Sequence, residues 1–148
     1  MRFEQARDAF HHVEGFYRKL GTLYQTTSKQ KTDGKEKMLL DYMAQHQMEL
    51  SDNLEKYEHN APNKILDAWF GYTDDDNVLT FPEKTELDSL DDIVAVSLEC
   101  GEKLIKLFNN FADSADTSDL KEVFTNMAKM QEKEQRKLSI NVDRLTEL

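Results

Sequence analysis

At 148 residues the chain is long enough to bury roughly two-thirds of its unfolded surface as one domain, and with 32% charged residues, five Gly and two Pro it excludes a turn-rich β fold. A formal charge of −10 excludes nucleic acid and anionic membranes as partners, since no Lys/Arg stripe offsets it. One cysteine, Cys100, excludes an internal disulfide framework and suits a reducing compartment. The opening residues MRFEQARDAF carry no apolar core of signal-peptide length, and no run of about 18 apolar residues occurs. The expectation is a cytoplasmic, mostly α-helical chain.

At about 100° per residue, Phe3, Ala6, Phe10, Val13, Tyr17, Leu20 and Tyr24 share one face, which predicts a first helix over 3–27. The polar break TTSKQKTDG follows. Asp33 with Glu36 reads as a capping box opening a second helix over 34–58, whose inner stripe is Leu40, Met43, Gln47, Leu50, Leu54 and Tyr57. Pro62 marks its end.

The stretch 61–88 is far longer than a helix hairpin needs, so it reads as a crossover from one end of the molecule to the other. Within it Ile65, Leu66, Trp69 and Phe70 have spacings compatible with a short helix near 64–70. Asp74, Asp75, Asp76 and Asn77 lack the alternating ligands and following Gly of a calcium loop and read as a solvated turn.

Ser89 with Asp92 is a second capping box, opening a third long helix over 90–112 with Ile93, Val96, Cys100, Leu104, Leu107, Phe108 and Phe111 inward. Val94, Leu98 and Ile105 form a second apolar arc that needs its own cover. The crossover is expected to supply it, and Trp69, Phe70 and Tyr72 are the candidate surface for a protein partner if it does not. The linker ADSADTSD is rich in capping residues. A fourth long helix over 119–146 carries Leu120, Val123, Phe124, Met127, Met130, Leu138, Asn141 and Leu145 on one face. Short first and third connections make antiparallel neighbours, so the fold class is all-α: an antiparallel four-helix bundle of two helical hairpins joined by the long crossover.

Two of these helices share a pattern. Met43-Ala44-x-x-Gln47-x-x-Leu50 and Met127-Ala128-x-x-Gln131-x-x-Glu134 stand in register, and Phe16-Tyr17 falls late in the first helix. With the two hairpins and the crossover, this resembles the ferritin-like superfamily, in particular its rubrerythrin-like branch, over nearly the whole chain. The resemblance implies a bacterial protein, pairing of two copies through helix faces, and a di-metal site built from Glu-x-x-His on two helices and a Glu on each of the others.

The residues depart from that site. Inward positions of the first helix are Phe10, Val13 and Tyr17, and those of the third are Ser97, Cys100 and Leu104, none of them a carboxylate. Glu14, Glu99 and Glu102 fall about 110° or more from the inner direction and are expected to face water. A rearranged iron or manganese site could draw only on His46, Glu49 and Glu134, with Glu49 about 130° from the stripe. His11 and His12 are adjacent and diverge, so no metal and no cofactor is expected.

In place of ligands, Gln47, Ser97, Cys100, Gln131 and Glu134 should form a polar core layer closed by amide hydrogen bonds or water, unless Glu134 reaches solvent beside Arg136 or Lys137. Cys100 is expected inward, mid-helix, as a small hydrophobe. No Gly-rich phosphate loop, Ser-His-Asp set or CxxC pattern occurs. The leading expectation is a non-enzymatic, metal-free helical bundle acting as a structural or protein-interaction module, as a homodimer or with an unknown protein partner. The alternatives are a divergent di-metal oxidoreductase or iron-handling protein, and a histidine phosphotransfer module. The last needs Lys-Gly after its histidine, whereas His12 is followed by Val-Glu-Gly and His46 by Gln-Met-Glu.

Overall fold

The computed structural model describes residues 2–31, 34–73, 79 and 87–147. The elements are β1 (Arg2–Gln5), α1 (Ala6–Gln30), α2 (Lys35–Asn60), α3 (Asn63–Leu66), β2 (Trp69–Thr73), α4 (Leu90–Ser114) and α5 (Ser118–Thr146). Among the described residues the chain is all-α apart from one two-stranded ribbon, and no helix of theirs is long and apolar enough to cross a membrane.

Helix ends follow local chemistry. Ser89 Oγ accepts from the Asp92 amide (3.1 Å) and Thr117 Oγ1 from that of Leu120 (3.2 Å), each meeting one of the free N–H groups that open a helix. The Asp33 cap lies outside the described residues, as do Asp74, Asp75, Asp76 and Asn77. Gly34, at φ 99°, stands immediately before α2. There the chain turns through a backbone state that a side chain would resist.

α1 and α2 form one antiparallel hairpin. Ser28 Oγ donates to the Asp41 carboxylate, and Lys37 Nζ donates to the carbonyl (3.2 Å) and hydroxyl (3.1 Å) of Ser28, clasping the turn end. α4 and α5 form the second hairpin across the short link Ala115–Thr117. At Gly101 the Gln135 carboxamide of α5 occupies the space a Cβ would take, and its Nε2 donates to the Leu98 carbonyl of α4 at 3.3 Å. Each helix of one hairpin touches a helix of the other, through Phe10 against Phe124, Tyr24 on Ser97 and His46 against Glu134.

Two expectations are corrected here. The first helix does not begin at residue 3: Arg2–Gln5 is a strand, paired antiparallel with Trp69–Thr73. The crossover's helix ends at Leu66 rather than 70, because the aromatic run WFGYT takes the extended state that suits aromatic side chains. A bulge lies between the Phe3–Tyr72 and Gln5–Trp69 pairs. Its extra residue falls on β2, where Gly71 at φ 53° admits it.

The ribbon caps one end of the molecule. Phe70 and Tyr72 stack inward and meet Phe111 edge-on, with centroids at 5.6 and 5.1 Å, while Phe3 does the same from β1 at 5.5 Å. Phe124 and Phe10 extend this cluster into the helices. The described crossover therefore covers the C-terminal end of α4. Leu79 of the crossover lies beside His12 and Phe16 of α1, and the arc of Val94, Leu98 and Ile105 stays half-buried.

Candidate functional site

Midway along the helices all four long elements contribute to one small cavity of about 40 Å³, where polar side chains meet among leucines. α2 supplies His46 and Gln47, α4 supplies Ser97 and Cys100, and α5 supplies Gln131 and Glu134, with Leu20 and Tyr24 of α1 closing the back. The five residues of the expected polar layer thus line a single space. Volume and lining suit an ordered water, which needs two to four polar partners.

The hydrogen bonds run mainly on one side. Ser97 Oγ donates back to the Ile93 carbonyl (2.8 Å), so the Tyr24 hydroxyl is the donor in its 2.7 Å bond to Ser97. Burial raises the Tyr24 phenol well above its ordinary value, with Ser97 acting the other way and Cys100 adding to the rise. Burial likewise pushes the Cys100 thiol up to about 11, with Lys103 opposing and Glu99 reinforcing. That thiol is protonated at neutral pH and is no nucleophile.

Across the cavity His46 Nε2 lies 2.7 Å from Glu134 Oε2, an ion-pair distance at which the N–H direction is not aligned as a hydrogen bond. Lys137 Nζ stands 3.7 Å from the other oxygen of Glu134, whose side chain is only 14% exposed. Glu134 therefore lies at the edge of the layer, held between a histidine of α2 and a lysine of its own helix. Its charge also adds to the burial that raises the Tyr17 phenol. Glu49 does not join this pair: it is exposed and accepts from Gln45 Nε2 (3.1 Å). The set His46, Glu49 and Glu134 offers two neighbouring ligand atoms where a metal centre needs three or more.

Among the described residues no hydrogen-bond donor reaches Gln47 Oε1, which is shielded from solvent. An unmet buried acceptor costs about 1 to 3 kcal/mol. Gln47→Met keeps the unbranched shape that fits beside Gly21 and removes the orphan, so urea denaturation should show a gain of about 1 kcal/mol. A loss of that size would mean that the carboxamide is engaged in the cavity.

A second cluster escaped the helical-wheel reading. His11 and Glu14 of α1 and Glu58 of α2 bring one ligand-type atom each within 4.8 Å of one another. Glu14 faces the α1–α2 seam, not open water as expected, and is 16% exposed. Ser51 Oγ donates to its carbonyl at 3.4 Å, and Arg18 stands 3.6 Å from its Oε1 while donating to Ser51 (3.1 Å). Burial raises the Glu58 carboxyl above its ordinary value, with His11 opposing and Glu14 and Glu55 reinforcing. Among the described residues Glu58 Oε1 is shielded from solvent and meets no hydrogen-bond donor. The spacing His11-x-x-Glu14 was the one available signal.

The candidate partner surface on β2 divides. Trp69 is 51% exposed under the Arg2 guanidinium, Phe70 is core and Tyr72 is half-buried. The larger apolar opening lies elsewhere, between α2 and α5, where Leu50, Leu54, Tyr57, Val123, Met127 and Met130 line a groove of about 330 Å³. Comparison with protein-family models, curated proteins and solved structures returns no match.

Proposed function

We propose that this chain is a non-enzymatic interaction module: a four-helix bundle of the ferritin-like kind, without a core metal pair, that binds a second copy of itself through the α2–α5 face. The bundle reading is supported by the contacts Phe3 to Phe111 and Tyr24 to Ser97, which set β1–α1 antiparallel to α4. α2 and α4 then run the same way, as a long crossover between hairpins requires. The absence of catalysis is supported by the donor set of the cavity: carboxamides, hydroxyls, a protonated thiol and one histidine–carboxylate contact.

One observation carries the interaction reading. Of the five large apolar side chains exposed among the described residues, four (Met38, Tyr42, Met130 and Ile140) belong to α2 and α5. With the groove they form a strip along two helices, about 30 Å long and 20 Å wide at 1.5 Å per residue and about 10 Å per helix. Two such strips face to face cover roughly 1,200 Å², the lower end of what a specific interface buries. Methionine side chains adapt to such contacts.

Light scattering on the eluting protein at about 0.1 mM should show a dimer, and Met130→Glu should weaken association at least about tenfold while Trp69→Ala leaves it unchanged. A strict monomer at that concentration would remove the homodimer and leave the strip to another protein.

A further inference from the structure

We propose that His11, Glu14 and Glu58 form a binding site for one divalent transition-metal ion of the zinc class, placed on the seam between α1 and α2 and separate from the core layer. His11 Nδ1 lies 3.5 Å from Glu58 Oε2 and 4.0 Å from Glu14 Oε2. Ligands bound at 2.0 to 2.1 Å in a tetrahedron stand about 3.4 Å apart, so small side-chain movements bring all three atoms onto one ion.

The carboxylates are already oriented. Glu58 is 12% exposed and Glu14 16%, so packing restricts both. Arg18 stands against Oε1 of Glu14, which leaves Oε2 facing His11, the arrangement by which an outer group aims a ligand. Among the described residues Glu58 Oε1 meets neither solvent nor a hydrogen-bond donor, while its Oε2 has the His11 imidazole beside it at 3.5 Å, so an ion placed between them would give this carboxylate a cationic partner. His11, at 61% exposed, forms the outer wall and leaves a coordination position open to water.

Charge agrees with geometry. Glu14 and Glu55 stand against Arg18 and Glu58 adds a third carboxylate beside Glu14, so the group holds three carboxylates to one guanidinium and a divalent ion offsets the excess. Ligand type sets the class: one imidazole and two carboxylates suit zinc, cobalt or manganese, whereas calcium takes six to eight oxygens and magnesium keeps most of its water. The site ties α1 to α2 at the end of the hairpin away from the Ser28–Asp41 clasp. Its role is to pin that open end.

Untagged protein, stripped with chelator and titrated with Co²⁺ while its visible spectrum is recorded, tests the site. One ion per chain should bind with a low-coordinate cobalt spectrum and raise the melting temperature. Glu58→Gln and His11→Ala should each weaken binding at least about tenfold, and His46→Ala should leave it unchanged. Glu58→Gln keeps the shape of the side chain, so circular dichroism will show it folded. Absence of stoichiometric binding at millimolar Co²⁺, or full affinity in the folded Glu58→Gln protein, overturns the site. Loss of binding in His46→Ala alone overturns it too, and moves the metal to the core pair.

Discussion

Phe111→Ala should lower the free energy of unfolding by about 3 to 5 kcal/mol, a large share of the 5 to 15 kcal/mol a domain of this size commands. The ring is fully buried and touches Phe3 on β1, Phe70 and Tyr72 on β2 and Phe124 on α5. Truncation removes contact with three other elements at once. The surroundings cannot easily close over the gap, because the ribbon is fixed by its own ladder and by the Ala6 amide bonding to the Ala68 carbonyl at 2.9 Å. Cavity cost therefore adds to lost transfer energy. Trp69→Ala, at a ring of greater size and 51% exposure, should change stability by less than about 0.5 kcal/mol. Guanidinium denaturation followed by circular dichroism measures both, and a Phe111→Ala loss no larger than that of Trp69→Ala would mean that the ribbon is not docked on α4.

The same cluster shows where sequence reasoning stops. The long helices were legible because a 3.6-residue period repeated over six or more turns leaves few alternatives, and the Ser89 cap named one boundary. The ribbon was not. Ile65, Leu66, Trp69 and Phe70 satisfy a helical spacing as well as an extended one over so short a run, and β2 exists only because Arg2–Gln5 arrives from more than sixty residues away. A strand pair is a property of two segments, and neither announces the other.

The polar residues divide for a related reason. Gln47, Ser97, Cys100 and Gln131 interrupt inner stripes, so their convergence follows from helix faces alone. His46 with Glu134 depends on the register of α2 against α5, which no single-helix pattern contains. Glu14 was placed toward water by its angle on α1, yet its side chain is only 16% exposed and sits beside Glu58 of α2. A helical wheel knows the core direction and is blind to the seam beside it, and that seam holds the His11, Glu14 and Glu58 cluster.

Cys100 then reports whether the hairpins stay together. Its thiol is 4% exposed on α4, under α1 and α2, and burial holds it near 11. At pH 8 the thiolate population is about 100-fold below that of a thiol at the reference value, and a disulfide reagent must also reach the sulfur. Labelling by such a reagent in the native state should run at least about 1,000-fold slower than in the unfolded chain. The polar layer works against this protection, since carboxamides and a histidine–carboxylate contact give less cohesion than hydrocarbon would. The aromatic cap and the apolar neighbours Leu20 and Leu104 work for it, and burying several whole aromatic and leucine side chains at about 1.5 to 3 kcal/mol each outweighs one unmet amide. Access should accordingly require separation of the two hairpins, so the labelling rate should rise with urea along the same slope as global unfolding. A shallow slope, or a native rate within about tenfold of the unfolded one, would instead mean that the middle of the molecule opens locally and that the polar layer is its weak plane.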